Sequence, residues 1–123
     1  MLINEKEINI SSLTPEEVKD GVVINILGMD FKPSYEFEEI ENEQKLRTIY
    51  LEPVTGGDKI LEEIHAWKDR LIEKYECELW DEDTGSLPDY SIEFGYEGDD
   101  DRWTVKICTN AFNFDNEIRI EIE

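Results

Sequence analysis

The sequence predicts an α+β domain, a mostly antiparallel sheet with one long amphipathic helix packed on one face, and three stretches carry that prediction. In residues 88–109, PDYSIEFGYEGDDDRWTVKICT, the apolar Tyr90, Ile92, Phe94 and Tyr96 alternate with Ser91, Glu93, Gly95 and Glu97. Beyond the turn Gly98-Asp99-Asp100-Asp101, Trp103, Val105 and Ile107 alternate with Thr104, Lys106 and Cys108, so each arm of a β-hairpin has one apolar and one polar face. In residues 58–75 the apolar Ile60, Leu61, Ile64, Trp67, Leu71, Ile72 and Tyr75 recur at helical spacing. Residues 117–123, EIRIEIE, alternate strictly, with Ile118, Ile120 and Ile122 inward.

Charge and face together select the hairpin register. Setting Tyr96 opposite Trp103 places Phe94 on Val105 and Ile92 on Ile107, while Glu97 meets Arg102 and Glu93 meets Lys106. Apolar pairs then share the buried face and opposite charges the wet one. A slip of one residue would bury Glu93 and Lys106.

The remaining elements follow in chain order. Residues 1–13 contain an alternating piece in which Ile8 and Ile10 flank Asn9, an expected edge strand. Thr14-Pro15-Glu16-Glu17 has the pattern of a helix start, with Thr14 as N-cap, Pro15 at the first position and Glu17 completing a capping box, and Gly21 ends that short helix. Residues 22–29, VVINILGM, are apolar on both faces and are expected at the middle of the sheet. Between Phe31 and Lys45 strand, helix and loop patterns all fit, with Lys32-Pro33 favouring a turn before the segment. Leu46 to Glu52 reads as a strand closed by Pro53 and the Thr55-Gly56-Gly57 turn, after which Asp58 is positioned to cap the long helix. Cys77 to Trp80 is a short strand leading into a polar loop from Asp81 to Ser86, and residues 110–116 hold a turn with Phe112 and Phe114 as inward anchors. No linker or repeat divides the chain, so residues 1–123 form one domain of ordinary size.

Composition narrows the function classes. Thirty-two acidic residues against 12 basic ones leave a net charge of -20. Apolar residues at 39% and aromatics at 11% fall in periodic segments, which argues for a folded, strongly negative protein rather than a disordered one. Such a surface repels nucleic acid and anionic membrane and attracts basic proteins, so a cationic protein partner is expected. The plainer reading, that the acid serves solubility, stays open beside it. Cys77 and Cys108 do not form the dense framework of a secreted domain. MLINEKEINI lacks a basic leader with a long apolar run, so a reducing cytoplasm with free thiols is expected, although a Cys77–Cys108 pair is geometrically open.

Each candidate for chemistry has a bland counterpart. His65, the single histidine, lies at the border of the helical apolar stripe without a nucleophile placed by motif, and reads as a packing residue rather than a base. Asp81, Asp83, Gly85 and Asp89 begin as a calcium loop would, but Ser86 stands where the invariant glycine belongs and no closing glutamate follows. Phosphate loops, Cys-x-x-Cys sites and histidine metal motifs are missing from the sequence, so no cofactor, metal or catalytic residue is expected. The candidate partner-binding carboxylates are Asp99, Asp100 and Asp101 at the hairpin tip, Asp81, Glu82 and Asp83 in the loop before it, and Glu36, Glu38, Glu39 and Glu41 beside Tyr35 and Phe37. Tyr35 and Phe37 read equally well as core residues with the glutamates as their solvated backs.

The run IHAWKDRLIEKYE followed later by DDRWTVKI resembles segments of bacterial toxin-immunity families. The small size, strong acidity and lack of a catalytic motif are similar in character to those immunity proteins and to DNA-mimic inhibitors. The resemblance implies a non-catalytic inhibitor of a basic partner, most naturally the immunity protein of a nuclease-type toxin. It implies no individual residue roles. A DNA mimic acting on a nucleic-acid-binding protein and an adaptor domain with purely solubilising acid are the alternatives. Oligomeric state is left open, with the final strand a possible edge for pairing two copies.

Overall fold

A computed structural model describes residues 1–54, 59–83, 89–110 and 115–122; the turn residues 55–57, Asp58, Gly85, Ser86, Phe112, Phe114 and Glu123 lie outside these. The chain forms strands β1 (Leu2–Ile3), β2 (Lys6–Glu7), β3 (Ile24–Ile26), β4 (Met29–Ile40) and β5 (Glu43–Pro53), then helix α1 (Ile60–Tyr75). Strands β6 (Glu78–Asp83), β7 (Asp89–Glu97), β8 (Arg102–Asn110) and β9 (Asp115–Ile122) complete it. All strands join one antiparallel sheet in the order β2-β1-β3-β4-β5-β9-β8-β7-β6, bent into a half-barrel. The α+β class holds.

The β7–β8 hairpin has the register expected from its alternation: Tyr96 faces Trp103, Phe94 faces Val105, Ile92 faces Ile107, Glu97 faces Arg102 and Glu93 faces Lys106. Strand β9 then lies on β8 with Ile122, Ile120 and Ile118 against Trp103, Val105 and Ile107. On its other side β9 meets β5, pairing Ile120 with Ile49 and Ile118 with Leu51. One face of four adjacent strands is therefore dry, and Trp103, Val105, Ile107, Phe94 and Ile120 are fully buried. The final strand is thus interior to the sheet, and not an edge on which two copies could pair.

The apolar stripe of α1 enters the same core. Ile64, Trp67 and Leu71 are buried, and the Trp67 ring meets Phe31 edge-on at 5.0 Å while its Nε1 donates to the carbonyl of Ile26 at 2.9 Å. At the helix's end Tyr75 packs against Tyr96 and Trp103, accepts from the amide of Leu2 at 2.7 Å and donates to Glu7 at 2.9 Å. Burial and the Glu7 carboxylate raise the Tyr75 pKa well above the phenolic range. Glu76 takes a left-handed conformation (φ 50°), and the amide of Cys77 returns to the carbonyl of Ile72, which ends the helix without glycine. Lys59 precedes the helix without a side-chain cap, and the expected cap, Asp58, is outside the described residues.

The N-terminal half departs from several expectations. At Thr14 half of the capping box forms, the Glu17 carboxylate accepting from Thr14 N at 3.1 Å, but the Thr14 hydroxyl also donates to that carboxylate at 2.9 Å and the Glu17 amide donates to the Thr14 carbonyl, so the contacts close a turn and no helix follows. So short a helix has too few hydrogen bonds to offset its nucleation. The apolar run 22–29 is not the sheet's centre. Val22 and Val23 are exposed, only Ile24–Ile26 pair, and Leu27-Gly28 (φ 47° and 90°) turn directly into β4. The ambiguous segment after it is two strands joined by the Glu41-Asn42 turn, and Pro33 lies inside β4 rather than in a turn. Its missing N–H is tolerated because β3 has already ended there. On that open side Gly21 donates to the Pro33 carbonyl and the Tyr35 amide to Asp20. The expected edge strand around Ile8 is instead the β1–β2 pair, followed by a 3₁₀ turn at Ile10–Ser12 that buries Ile10.

That turn is strapped to the hairpin tip. The Asp101 carboxylate accepts from the amide of Ser11 at 3.1 Å and from its hydroxyl at 2.7 Å, while the amide of Arg102 donates to Ser11 Oγ at 3.1 Å. Asn9 Nδ2 donates to the carbonyl of Asp100 at 3.2 Å. Replacing Asp101 by alanine leaves the Ser11 donors without their acceptor and is expected to cost about 1–3 kcal/mol. Alanine at Asp99 or Asp100 is expected to stay within about 0.5 kcal/mol. Urea unfolding of the three variants is the check.

Candidate partner-binding surface

Alternation along the strands builds the sheet's second face from the residues that the core rejects. On it Lys106 lies directly opposite Arg119 on β9 and leans diagonally to Glu121, at 3.0 Å. Arg119 is held between Glu117 at 3.4 Å and Glu121 at 3.3 Å. Glu93 stands across from Lys106 in register, yet the ion pair goes to Glu121, and no ion pair joins Glu97 to Arg102. The cations of this face are thus neutralised mainly by β9, where the hairpin alone would assign them to β7. Ser91, Glu93, Lys106, Cys108, Glu117 and Arg119 line a shallow, open cleft here.

The candidate carboxylates fall into two regions. Asp99 and Asp100 are exposed at the hairpin tip, whereas Asp101 is turned inward to Ser11. At the same end of the sheet the β4–β5 hairpin projects as an acidic arm. Strand β5 meets β9 only from Thr48 to Leu51, so residues 36–47 have no further strand beside them among the described residues. The arm closes on Glu41 and Asn42, both in left-handed conformation (φ 53° and 66°), the geometry of a two-residue turn whose twist matches the strands. Glu38 is paired with Arg47 at 3.0 Å and Glu43 with Lys45 at 3.3 Å. Glu36 accepts from the Tyr50 hydroxyl, and its charge raises the Tyr50 pKa. Glu39 and Glu41 are exposed. Tyr35 and Phe37 are half-buried and pack against the core, as the blander reading of them has it.

Asp81, Glu82 and Asp83 are elsewhere. They belong to strand β6 rather than to a loop, and Asp81 to Asp83 run along β7 from Glu93 to Ser91, away from the tip. Asp81 and Glu82 are exposed. The acid is therefore not one patch: the tip and the arm share one end of the sheet, with the Ile10–Ser12 turn between them, and β6 carries the rest along its outermost edge.

One feature of β6 escaped the sequence reading. The ladder slips between Leu79 and Asp81, leaving Trp80 as an extra residue whose ring lies flat over Gly95. A Cβ at Gly95 would meet that ring at 2.3 Å. Leu79 and Trp80 nevertheless remain 50% and 40% exposed. A glycine inside an otherwise alternating strand was the available signal for such a close approach.

His65 is half-buried on α1, and no cluster of three or more metal-ligating side chains occurs among the described residues. Among them no helix is long and apolar enough to cross a membrane. Comparison of the chain with protein-family models, curated proteins and solved structures finds no significant match.

The two cysteines are free and differ in environment. Cys108 is exposed on the charged face, whereas Cys77 is half-buried behind the helix end, where burial pushes its thiol up to about 11. Because the thiolate is the reactive form, Cys77 should resist alkylation near pH 8 and react as the pH approaches 11, whereas the exposed Cys108 is open to reagent at either pH. Mass spectrometry after iodoacetamide treatment at both pH values reads this directly.

Proposed function

We propose that this protein is a non-catalytic, acidic binding protein that inhibits a basic partner by covering its functional surface, and that its natural setting is bacterial and cytoplasmic, as the immunity protein of a nuclease-type toxin. The observation that supports the reading is the charge of -20, with half of the 12 lysines and arginines already engaged by carboxylates of this chain. Lys45, Arg47, Lys68, Lys74, Lys106 and Arg119 each have a carboxylate of this chain within salt-bridge reach, so the remaining acid faces outward uncompensated. In this reading α1 covers the sheet's inner face and stiffens it, and the outer rim presents the carboxylates. An enzyme that binds nucleic acid exposes a cationic cleft, and a rigid acidic rim can occupy it in place of the phosphates. The resemblance of IHAWKDRLIEKYE and DDRWTVKI to toxin-immunity segments points the same way.

The test is stopped-flow association with a panel of basic nuclease toxin domains, paired with a nuclease assay. One member should be inhibited at one-to-one stoichiometry, with an association rate that falls about tenfold or more from low to high salt. A rate indifferent to ionic strength, or binding without inhibition, overturns the proposal.

A further inference from the structure

We propose that the free edge of β6 is the docking line for this partner, which adds an extended, cationic strand of its own beside β6. The inference rests on the reading of the chain as a binder of a basic protein, and narrows it to one edge of the sheet and one mode of contact.

Strand β6 is the last in the sheet order and, among the described residues, is paired on one side only, by β7. An unpaired edge presents a row of amide donors and carbonyl acceptors, which is the template for adding a strand. The opposite end of the sheet is β2, only two residues long, and the arm, whose outer edges are also open, leaves one large apolar side chain exposed, Ile40, against Leu79 and Trp80 on β6. The bulge at Trp80 turns its ring back over Gly95, towards β7, and so leaves the outward backbone edge uncovered by it.

The side chains along that edge specify what the added strand must carry. Residues opposite one another across an antiparallel pair share a face. Leu79 faces Phe94 and so lies at the rim of the apolar face, half exposed at 50%. Glu78 and Asp81 face Gly95 and Glu93, on the charged face, with the exposed indole of Trp80 between them. A strand laid alongside would bring alternate side chains to these two faces. Apolar residues would complete the cover of Leu79, and arginine or lysine would meet Glu78, Asp81 and the indole, which also favours a cation.

Charge decides among occupants. A second copy of this chain pairing β6 to β6 would set Glu78, Asp81 and Glu82 against the same residues, and like charges opposite one another are destabilising. A neutral apolar strand would satisfy Leu79 and the backbone, but would desolvate the carboxylates without partners. A strand that sets basic residues towards Glu78 and Asp81 and an apolar residue over Leu79 meets the requirements of this stretch, and Glu82, opposite Ile92 on the other face, is already engaged within the chain.

The experiment uses the full chain and two blocked peptides of equal length, one alternating arginine and valine, the other all arginine. Binding is followed by titration, and amide exchange of the protein by NMR. The alternating peptide is expected to bind tighter and to slow exchange along β6. Leu79→Lys should weaken it about tenfold or more. Neutralising Glu62 and Glu73, exposed on the outer side of α1, should leave it unchanged. The shape-preserving pair Glu78→Gln with Asp81→Asn should also weaken it, and serves if Leu79→Lys does not fold. Equal binding of both peptides without protection of β6 overturns the docking line while leaving a charge-driven binder intact. Absence of any binding to either peptide, together with failure across the toxin panel, overturns both readings. A dimer abolished by Leu79→Lys makes the edge a self-interface and overturns the choice of occupant.

Discussion

The rest of the structure depends on the strict two-residue alternation carried through β7, β8 and β9. It excludes every odd slip of register, which would exchange a face of Phe94, Val105, Ile107 and Ile118 for one of Glu93, Lys106, Cys108 and Arg119. Once those three strands are aligned, β9 presents Ile118 and Ile120 to Leu51 and Ile49, and the N-terminal half of the sheet has its place. Helix α1 carries the chain from β5 to the far edge, leaving three positions that the β6–β9 meander fills on its way back. The contact between β5 and β9 thus closes the sheet by its longest-range strand pairing, and the local hairpins make it possible.

The same alternation sorts the charge. Carboxylates and cations gather mainly on one face and at the strand ends, where Lys45, Arg47, Lys106 and Arg119 find carboxylates nearby and the excess of acid has no cation to match it. Asp101 is an instructive exception. By sequence it is one of three equivalent tip aspartates, but its carboxylate is taken by Ser11 and ties the N-terminal segment to the hairpin. Its neighbours Asp99 and Asp100 keep their charge for solvent or a partner. Net charge is a property of the whole chain, whereas a binding surface depends on which charges remain unclaimed after folding.

Legibility followed the strength of local pattern. The hairpin register, the final strand and the helical stripe of Ile64, Trp67 and Leu71 were readable because period and polarity agree over many residues. The N-terminal half was not. Thr14 and Glu17 make one of the two contacts of a capping box around a mere turn, and Val22-Val23 are as apolar as any core pair yet lie exposed. In both cases local signals are weak against tertiary placement. Pro33 sits inside β4 because a neighbouring strand happens to end beside it, which no local rule foretells. Of the candidate carboxylates, their acidity was evident from the start, but their division between the tip, the arm and the β6 edge was not.

By itself the sequence determined the class of fold, the one-sided burial of the C-terminal strands and the sign of the surface, since each follows from residue type and spacing along a single element. Only the tertiary structure decided which strand would be the edge, which aspartate would be consumed internally and where Leu79 and Trp80 would be left half exposed. Those outcomes depend on the order of strands in the sheet and on residues far apart in the chain, such as Ser11 with Asp101 and Trp80 with Gly95, whose encounter no local periodicity encodes.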